Sequence, residues 1–183
     1  MKHSYTSEFR NVKLKPLAAE DIELLRNWRN DAGNAKYLRK IPYITSEMQK
    51  AWFEKYLENE DEICFSIFEQ DVLNRVVGSL SLYEFQGKQA EFGKILIGDE
   101  AAHGKKIGLH ALLAVLKVAF EDLKLEKVIL HVYEDNIAAR HIYESAGFVK
   151  KDSHISCGMT ENYMEITPEA YSEKCKEMKA CKS

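Results

Sequence analysis

The sequence predicts an α/β fold, a mixed and mostly antiparallel sheet of six to seven strands flanked by about four helices. Three observations predict it. Period-2 segments alternate with amphipathic helical ones in the order β-α-α-β-β-β-α-β-α-β-β. Three strand-like runs in the middle are separated only by short turns, as successive antiparallel strands are. One long apolar helix then joins two strands, as a crossover does. The 183 residues, 45% of them hydrophobic, suit a single cored domain over 1–183 with a peripheral tail from about 168.

The elements follow in order. Val12 and Leu14 alternate with Lys13 and Lys15, a strand with one wet face, and Ala18 to Asn30 switches to helical spacing through Ile22, Leu25 and Trp28. Asp31 to Ile44 reads as an irregular connection. Met48, Trp52, Phe53 and Tyr56 recur at helical spacing after Thr45. Ile63 to Glu69, Arg75 to Phe85 and Glu91 to Ile97 are strands parted by turn-prone residues around Asn74 and Gly87. Ile107 to Leu123 carries a broad apolar stripe and forms a long helix. Lys127 to Tyr133 is nearly continuously apolar, as in a central strand covered on both faces. Asn136 to Ser145 is a short helix ended by Gly147, Phe148 to His154 and Tyr163 to Thr167 complete the sheet, and Pro168 to Ser183 is a peripheral helix.

Composition excludes some functions. With 29 acids against 26 Lys and Arg the formal charge is -3, so no global basic field exists to hold nucleic acid. No apolar stretch reaches membrane-span length, and Met1 to Asn11 lacks the apolar region of a secretory leader. Cys64, Cys157, Cys175 and Cys181 are far apart and lack metal-ligand spacing, which predicts no metal and a reduced, cytoplasmic setting.

The segment from Ile97 to Gly108 runs from a strand through a Gly/Lys turn directly into a long helix. The first N–H groups of a helix lack intrahelical partners and carry partial positive charge, so a phosphate or pyrophosphate is a natural guest there. Lys105 and Lys106 add cationic donors; an ordinary strand-to-helix turn with solvated lysines is the alternative. Five residues separate Gly98 from Gly104, which excludes a Walker loop, and Gly104 with Gly108 fails the dinucleotide-binding spacing. In the second segment, Asn136, Ala139, Arg140 and Tyr143 share one helix face, across which a slender ligand arm could lie. Read plainly, Tyr143 is a packing aromatic and Asn136 an N-cap.

Together the two segments resemble the GNAT superfamily of acyl-CoA-dependent N-acyltransferases. His103-Gly104-Lys105-Lys106-Ile107-Gly108 is similar to the family's Q/R-x-x-G-x-G/A pyrophosphate loop, and Asn136 to Phe148 to its N-x-x-A-x-x-x-Y-x-x-x-G-F segment. The resemblance implies a central splay in the sheet, with the strand end at Leu96 and Ile97 and the strand from Lys127 admitting the pantetheine arm of acetyl-CoA. It assigns the pyrophosphate to backbone amides from Lys105 through Ile107 to Gly108, the arm to Asn136 and Ala139, and the thiol to Tyr143. Two positions depart from the pattern. His103 replaces Gln or Arg, and Lys106 replaces a glycine, which removes the easy access to positive φ.

The chemistry such an enzyme performs needs a neutral amine, a donor for the developing oxyanion, and a proton for the departing thiolate. Tyr143 is the expected general acid, and a strand amide near Ile97 the oxyanion donor. For the base the candidates are His131, on the face opposite Leu130, and Glu134, or a water relay; as plain structure, His131 is a sheet histidine and Glu134 an exposed turn carboxylate. Arg26-Asn27-Trp28-Arg29-Asn30 clusters two arginines around a tryptophan. This stretch, with Tyr37 to Tyr43, resembles the GNAT branch that acetylates nucleotide-linked amino sugars, which implies that Trp28, Arg29 and Asn30 bind the acceptor. Core packing of Trp28 is the alternative. Other readings are an N-terminal acetyltransferase of the ribosomal-protein type and a non-catalytic acyl-CoA sensor. A homodimer is the expected assembly if the chain is not monomeric.

Overall fold

The computed structural model describes residues 2–34 and 42–180. Among them the strands are β1 (Ser7–Phe9), β2 (Val12–Pro16), β3 (Glu62–Glu69), β4 (Arg75–Gln86), β5 (Gln89–Ile97), β6 (Lys127–Tyr133), β7 (Val149–Ser156) and β8 (Met159–Ile166). The helices are α1 (Ile22–Asn30), α2 (Ser46–Glu58), α3 (Ile107–Lys117), α4 (Ile137–Ala146) and α5 (Pro168–Ala180). All eight strands share one sheet in the order β1-β2-β3-β4-β5-β6-β8-β7, and β5 with β6 is the parallel pair. That pair is joined through α3, as a crossover requires.

The α/β class is as expected, with corrections in detail. The sheet has eight strands among the described residues rather than six to seven, because Ser7–Phe9 pairs with β2 from Ser7↔Leu14 to Phe9↔Val12. Three residues are too few to display a period. Five α-helices stand among the described residues against the expected four or so, the fifth being the expected tail helix, which docks with Tyr171 against Phe120. Helix α1 begins at Ile22 rather than Ala18, the residues before it forming a turn in which Asp21 N–H donates to the Ala18 carbonyl. The long helix keeps α geometry only to Lys117 and widens over 118–122, where Leu123 N–H reaches the Val118 carbonyl. Of the expected irregular connection, 35–41 lies outside the described residues, as does 181–183 of the tail.

Burial explains the layering. Val12, Leu14, Phe65, Ile67, Leu82, Phe92, Val128, Leu130 and Met164 point to one face and pack with Ala111, Leu112, Val115 and Leu116 of α3. The other face is covered by α1 and α2 over β2 to β4, through a smaller cluster of Leu17, Leu25, Tyr56 and Cys64. Strand β6 is therefore not covered twice: Val128, Leu130 and Val132 are buried while Lys127, Ile129, His131 and Tyr133 alternate toward the open face. Its apolar run misled because Ile129 and Tyr133 are only half-buried.

Candidate active site

The sheet opens between β5 and β6. Their register runs Gln89↔Lys127, Ala90↔Val128 and Glu91↔Ile129 and then stops, so 92–97 of β5 has no partner on that side. The cause is local. Three residues of β4, Ser79 to Ser81, lie opposite four of β5, Leu96 to Gly93, and the extra residue makes a bulge with Lys94 at φ 52. A bulge bends its strand and sharpens the twist, and here it leads β5 away from β6. The result is a slot whose β5 wall offers main-chain groups free of a β6 ladder.

At the top of the slot the chain turns into α3. Its first intrahelical bond runs from His110 N–H to the Lys106 carbonyl at 3.0 Å, so the N–H groups of Ile107, Gly108 and Leu109 have no acceptor within the helix. Lys106 itself takes φ 60, ψ 16, the left-handed conformation that a glycine would adopt there. The loop geometry thus survives the substitution at a local cost of about 1–2 kcal/mol. Gly104 lies at φ 74, and His103, Gly104, Lys105 and Lys106 are exposed. His103 donates from Nε2 to the Ile97 carbonyl at 2.8 Å, tying the loop to the strand end. The slot and the amide-lined helix start fit an extended thiol arm ending in a diphosphate.

On the face covered by α1 and α2, a polar row crosses the sheet. Glu62, Tyr83 and Glu91 are in register on β3, β4 and β5. The Tyr83 hydroxyl donates to Glu91 Oε1 at 2.6 Å, and His131 Nδ1 stands 3.3 Å from the same oxygen. The Tyr83 ring can lie there because residue 93 is glycine, where a Cβ would come 2.7 Å from the hydroxyl. Lys94 Nζ bonds Glu62 at 2.7 Å and sits 4.5 Å from the Tyr83 ring centre. Burial raises the Glu62 carboxyl, but Lys94 together with the hydrogen bonds of Ser81 and Cys64 outweighs it and the net shift is downward. Burial and the Glu62 charge push the adjacent Cys64 thiol up to about 12, so it is neutral and no nucleophile.

Tyr143 lies on the opposite face. It is 7% exposed, its ring meets Phe92 edge-on at 6.0 Å, and burial pushes its phenol up to about 12. Because Glu91 and Phe92 are consecutive on β5, the His131–Glu91 pair and Tyr143 flank the start of the slot from two sides. Asn136 caps α4, its Oδ1 accepting from Ala139 N–H at 3.3 Å, which leaves its amide donors for another partner. Glu134 does not join His131. Its carboxylate pairs with Arg140 of α4 at 2.9 Å and Lys150 at 3.4 Å, and two adjacent cations make a carboxylate a poor base.

The α1 residues divide. Both polar ends of the Asn30 amide bind the Ile44 backbone at 2.9 Å, so this side chain holds the 42–45 segment in place. Trp28 packs beside Leu17, Leu25, Tyr56 and Cys64 and against Gly98. Arg29 is partly buried, with no hydrogen bond or ion pair among the described residues; burial lowers its pKa and the nearby Glu62 charge raises it. Sequence reasoning missed Glu91, Tyr83, Glu62 and Lys94. Only the register of β3, β4 and β5 brings them together.

A family model for the acetyltransferase (GNAT) domain matches residues 11–149. The chain belongs to the GNAT family. It is 30% identical over 141 residues to an uncharacterised protein of Methanocaldococcus jannaschii, a match covering 76% of this chain and 28% of that protein, so the chain spans little more than a quarter of that relative. It is 28% identical over 142 residues to spermidine N(1)-acetyltransferase of Vibrio cholerae, covering 76% of this chain and 80% of that enzyme. A solved structure of the Vibrio enzyme with CoA and spermine superposes at TM-score 0.78, with 24% identity over 88% of this chain and 98% of that one. A solved structure of apo FdhC, a nucleotide-linked sugar GNAT, superposes at TM-score 0.81, with 18% identity over 96% and 97% of the two chains. As a GNAT, the chain is an acetyl-CoA-dependent N-acetyltransferase. No helix among the described residues is long and apolar enough to cross a membrane.

Proposed function

We propose that this GNAT enzyme acetylates the amino group of a nucleotide-linked amino sugar by direct attack of the amine on acetyl-CoA. Bound acetyl-CoA supplies an activated thioester carbonyl. The main-chain groups of 93–97 line its arm, the N–H groups of Ile107 to Leu109, with the Lys105 side chain and the left-handed main chain of Lys106, receive its diphosphate, and Asn136 donates to the arm. On the open face, His131 takes the proton of the incoming ammonium, with Glu91 steadying the imidazolium that forms and Tyr83 fixing Glu91. A free β5 amide donates to the developing oxyanion. From the other face Tyr143 donates a hydrogen bond to the departing thiolate. The neutral Cys64 thiol disfavours a covalent acyl-enzyme, which supports direct attack.

One observation carries the acceptor class. Among the described residues Arg29 is a partly buried guanidinium beside the polar row with no acceptor, and such a group gains when an acceptor is supplied. An acceptor bearing phosphate supplies the missing partner, in the paired geometry that arginine favours. A polyamine, the substrate named for the Vibrio relative, has no such group. The test follows released thiol with amino-sugar nucleotides, spermidine and an N-terminal peptide. Turnover of the sugar nucleotide, with its KM raised about tenfold by Arg29→Ala and that of acetyl-CoA unmoved, is expected. Preference for spermidine, undisturbed by Arg29→Ala, would assign the acceptor to the polyamine class.

A further inference from the structure

We propose that Trp28 is a positioning residue for the acyl-CoA half of the site, acting through Gly98, and not a contact to the acceptor. The inference rests on the reading of the slot and loop given above. A Cβ on Gly98 would stand 2.1 Å from Trp28 Cγ and 2.2 Å from its Cδ2, so the indole lies directly on the main chain at residue 98. No residue but glycine leaves that space.

Residue 98 is where the free wall of the slot ends and the path to the diphosphate loop begins. Three other contacts converge on the same few residues. The Val77 carbonyl accepts from Gly98 N–H at 3.0 Å and from Asp99 N–H at 3.2 Å. Gly78 lets β4 close in, since a Cβ there would come 2.2 Å from the Leu96 carbonyl oxygen. His103 holds the Ile97 carbonyl. Val77 and Gly78 hold the segment along β4 and His103 holds it from the loop, while Trp28 presses on it from α1, backed by Leu25, Tyr56 and Cys64. Removing the indole leaves residues 96–99 without their support on that side, so the spacing of the slot wall and the aim of the α3 amides both loosen. Arg29, next in sequence, lies near Glu62 on the side proposed for the acceptor, so α1 would serve both halves of the reaction with adjacent residues.

Calorimetry of acetyl-CoA binding to the full chain tests this through a double-mutant cycle. Trp28→Ala is expected to raise the acetyl-CoA Kd about tenfold and Trp28→Phe less than about threefold, with the acceptor KM at saturating acetyl-CoA within about twofold of wild type. Gly98→Ala collides with the indole and weakens binding in the wild-type background, but adds less than about twofold in the Trp28→Ala background. An unchanged Kd in Trp28→Ala, or an equal Gly98→Ala effect in both backgrounds, overturns the proposal, as does a rise confined to the acceptor KM. Should Trp28→Ala fail to fold, Gly98→Ala decides: an unaltered Kd overturns it and a raised one with native melting supports it. Absence of binding by the wild type would instead sink the functional reading itself.

Discussion

His131 and Glu91 face each other 3.3 Å apart across β5 and β6, just where the two strands stop pairing. A histidine oriented by a carboxylate, itself oriented by the Tyr83 hydroxyl, is an arrangement suited to accepting a proton. His131→Ala is expected to lower kcat about 100-fold, the range of a general base, with acetyl-CoA binding unchanged by calorimetry. Glu91→Gln keeps the shape and lowers kcat less. A fall in acetyl-CoA affinity matching the fall in kcat would make the pair structural.

Tyr143 is held protonated by its surroundings. With its phenol near 12, full transfer to a thiolate of reference pKa 8.5 is roughly 5 kcal/mol uphill. The phenol therefore acts mainly as a hydrogen-bond donor, and desolvation of the thiolate narrows the gap. Tyr143→Phe is expected to lower kcat at least about tenfold and to leave acetyl-CoA Kd within about twofold, since the ring and its Phe92 contact remain. Because the folded-state value is raised, the phenol stays protonated through pH 10 and kcat shows no descending limb there in the wild type. A limb near pH 9 absent from Tyr143→Phe would contradict this.

At Lys106 the proposed contribution to acetyl-CoA binding comes from the left-handed backbone and not from the side chain. Lys106→Gly relieves the left-handed strain but gives the unfolded chain more freedom, so the melting temperature changes little and acetyl-CoA affinity holds or improves. Lys106→Val, with a β-branched side chain at φ 60, is expected to lose about 1–2 kcal/mol by denaturant titration and to bind acetyl-CoA more weakly. Equal behaviour of the two variants would remove the conformational argument.

Glu69 supplies a pH-dependent part of the stability. It is 1% exposed and accepts from the N–H groups of Asp71, Val72 and Leu73 and from Asn11 Nδ2. Burial raises its pKa, but these donors outweigh burial and the net shift is downward from 4.5. A depressed acid stabilises the fold above its unfolded value and ceases to as pH falls through the folded value. Wild type is thus expected to lose stability below pH about 4.5 relative to Glu69→Gln, which is weaker by about 1–3 kcal/mol at pH 7. Parallel pH curves for the two proteins would contradict it.

Much of this was legible in the residues. The order of elements, the loop at 103–108 and the Asn136 to Phe148 segment each carry a local pattern of glycines and periodicity. The proposed base was legible only by half: His131 declares itself by its residue type, but Glu91 reads as any solvent-facing acid on a strand, and their pairing depends on a register set 40 residues away. The bulge at Lys94 leaves no mark either, because a lysine at positive φ is imposed by tertiary structure rather than by propensity. Glu134 misled through its place in sequence, next to the right strand but turned toward Arg140.

Amide hydrogen exchange with and without CoA probes the slot and the loop in one experiment. Slower exchange confined to the β5 amides of 93–97 and to Ile107, Gly108 and Leu109 is the predicted result. Exchange unaltered in both stretches at saturating CoA would contradict the account.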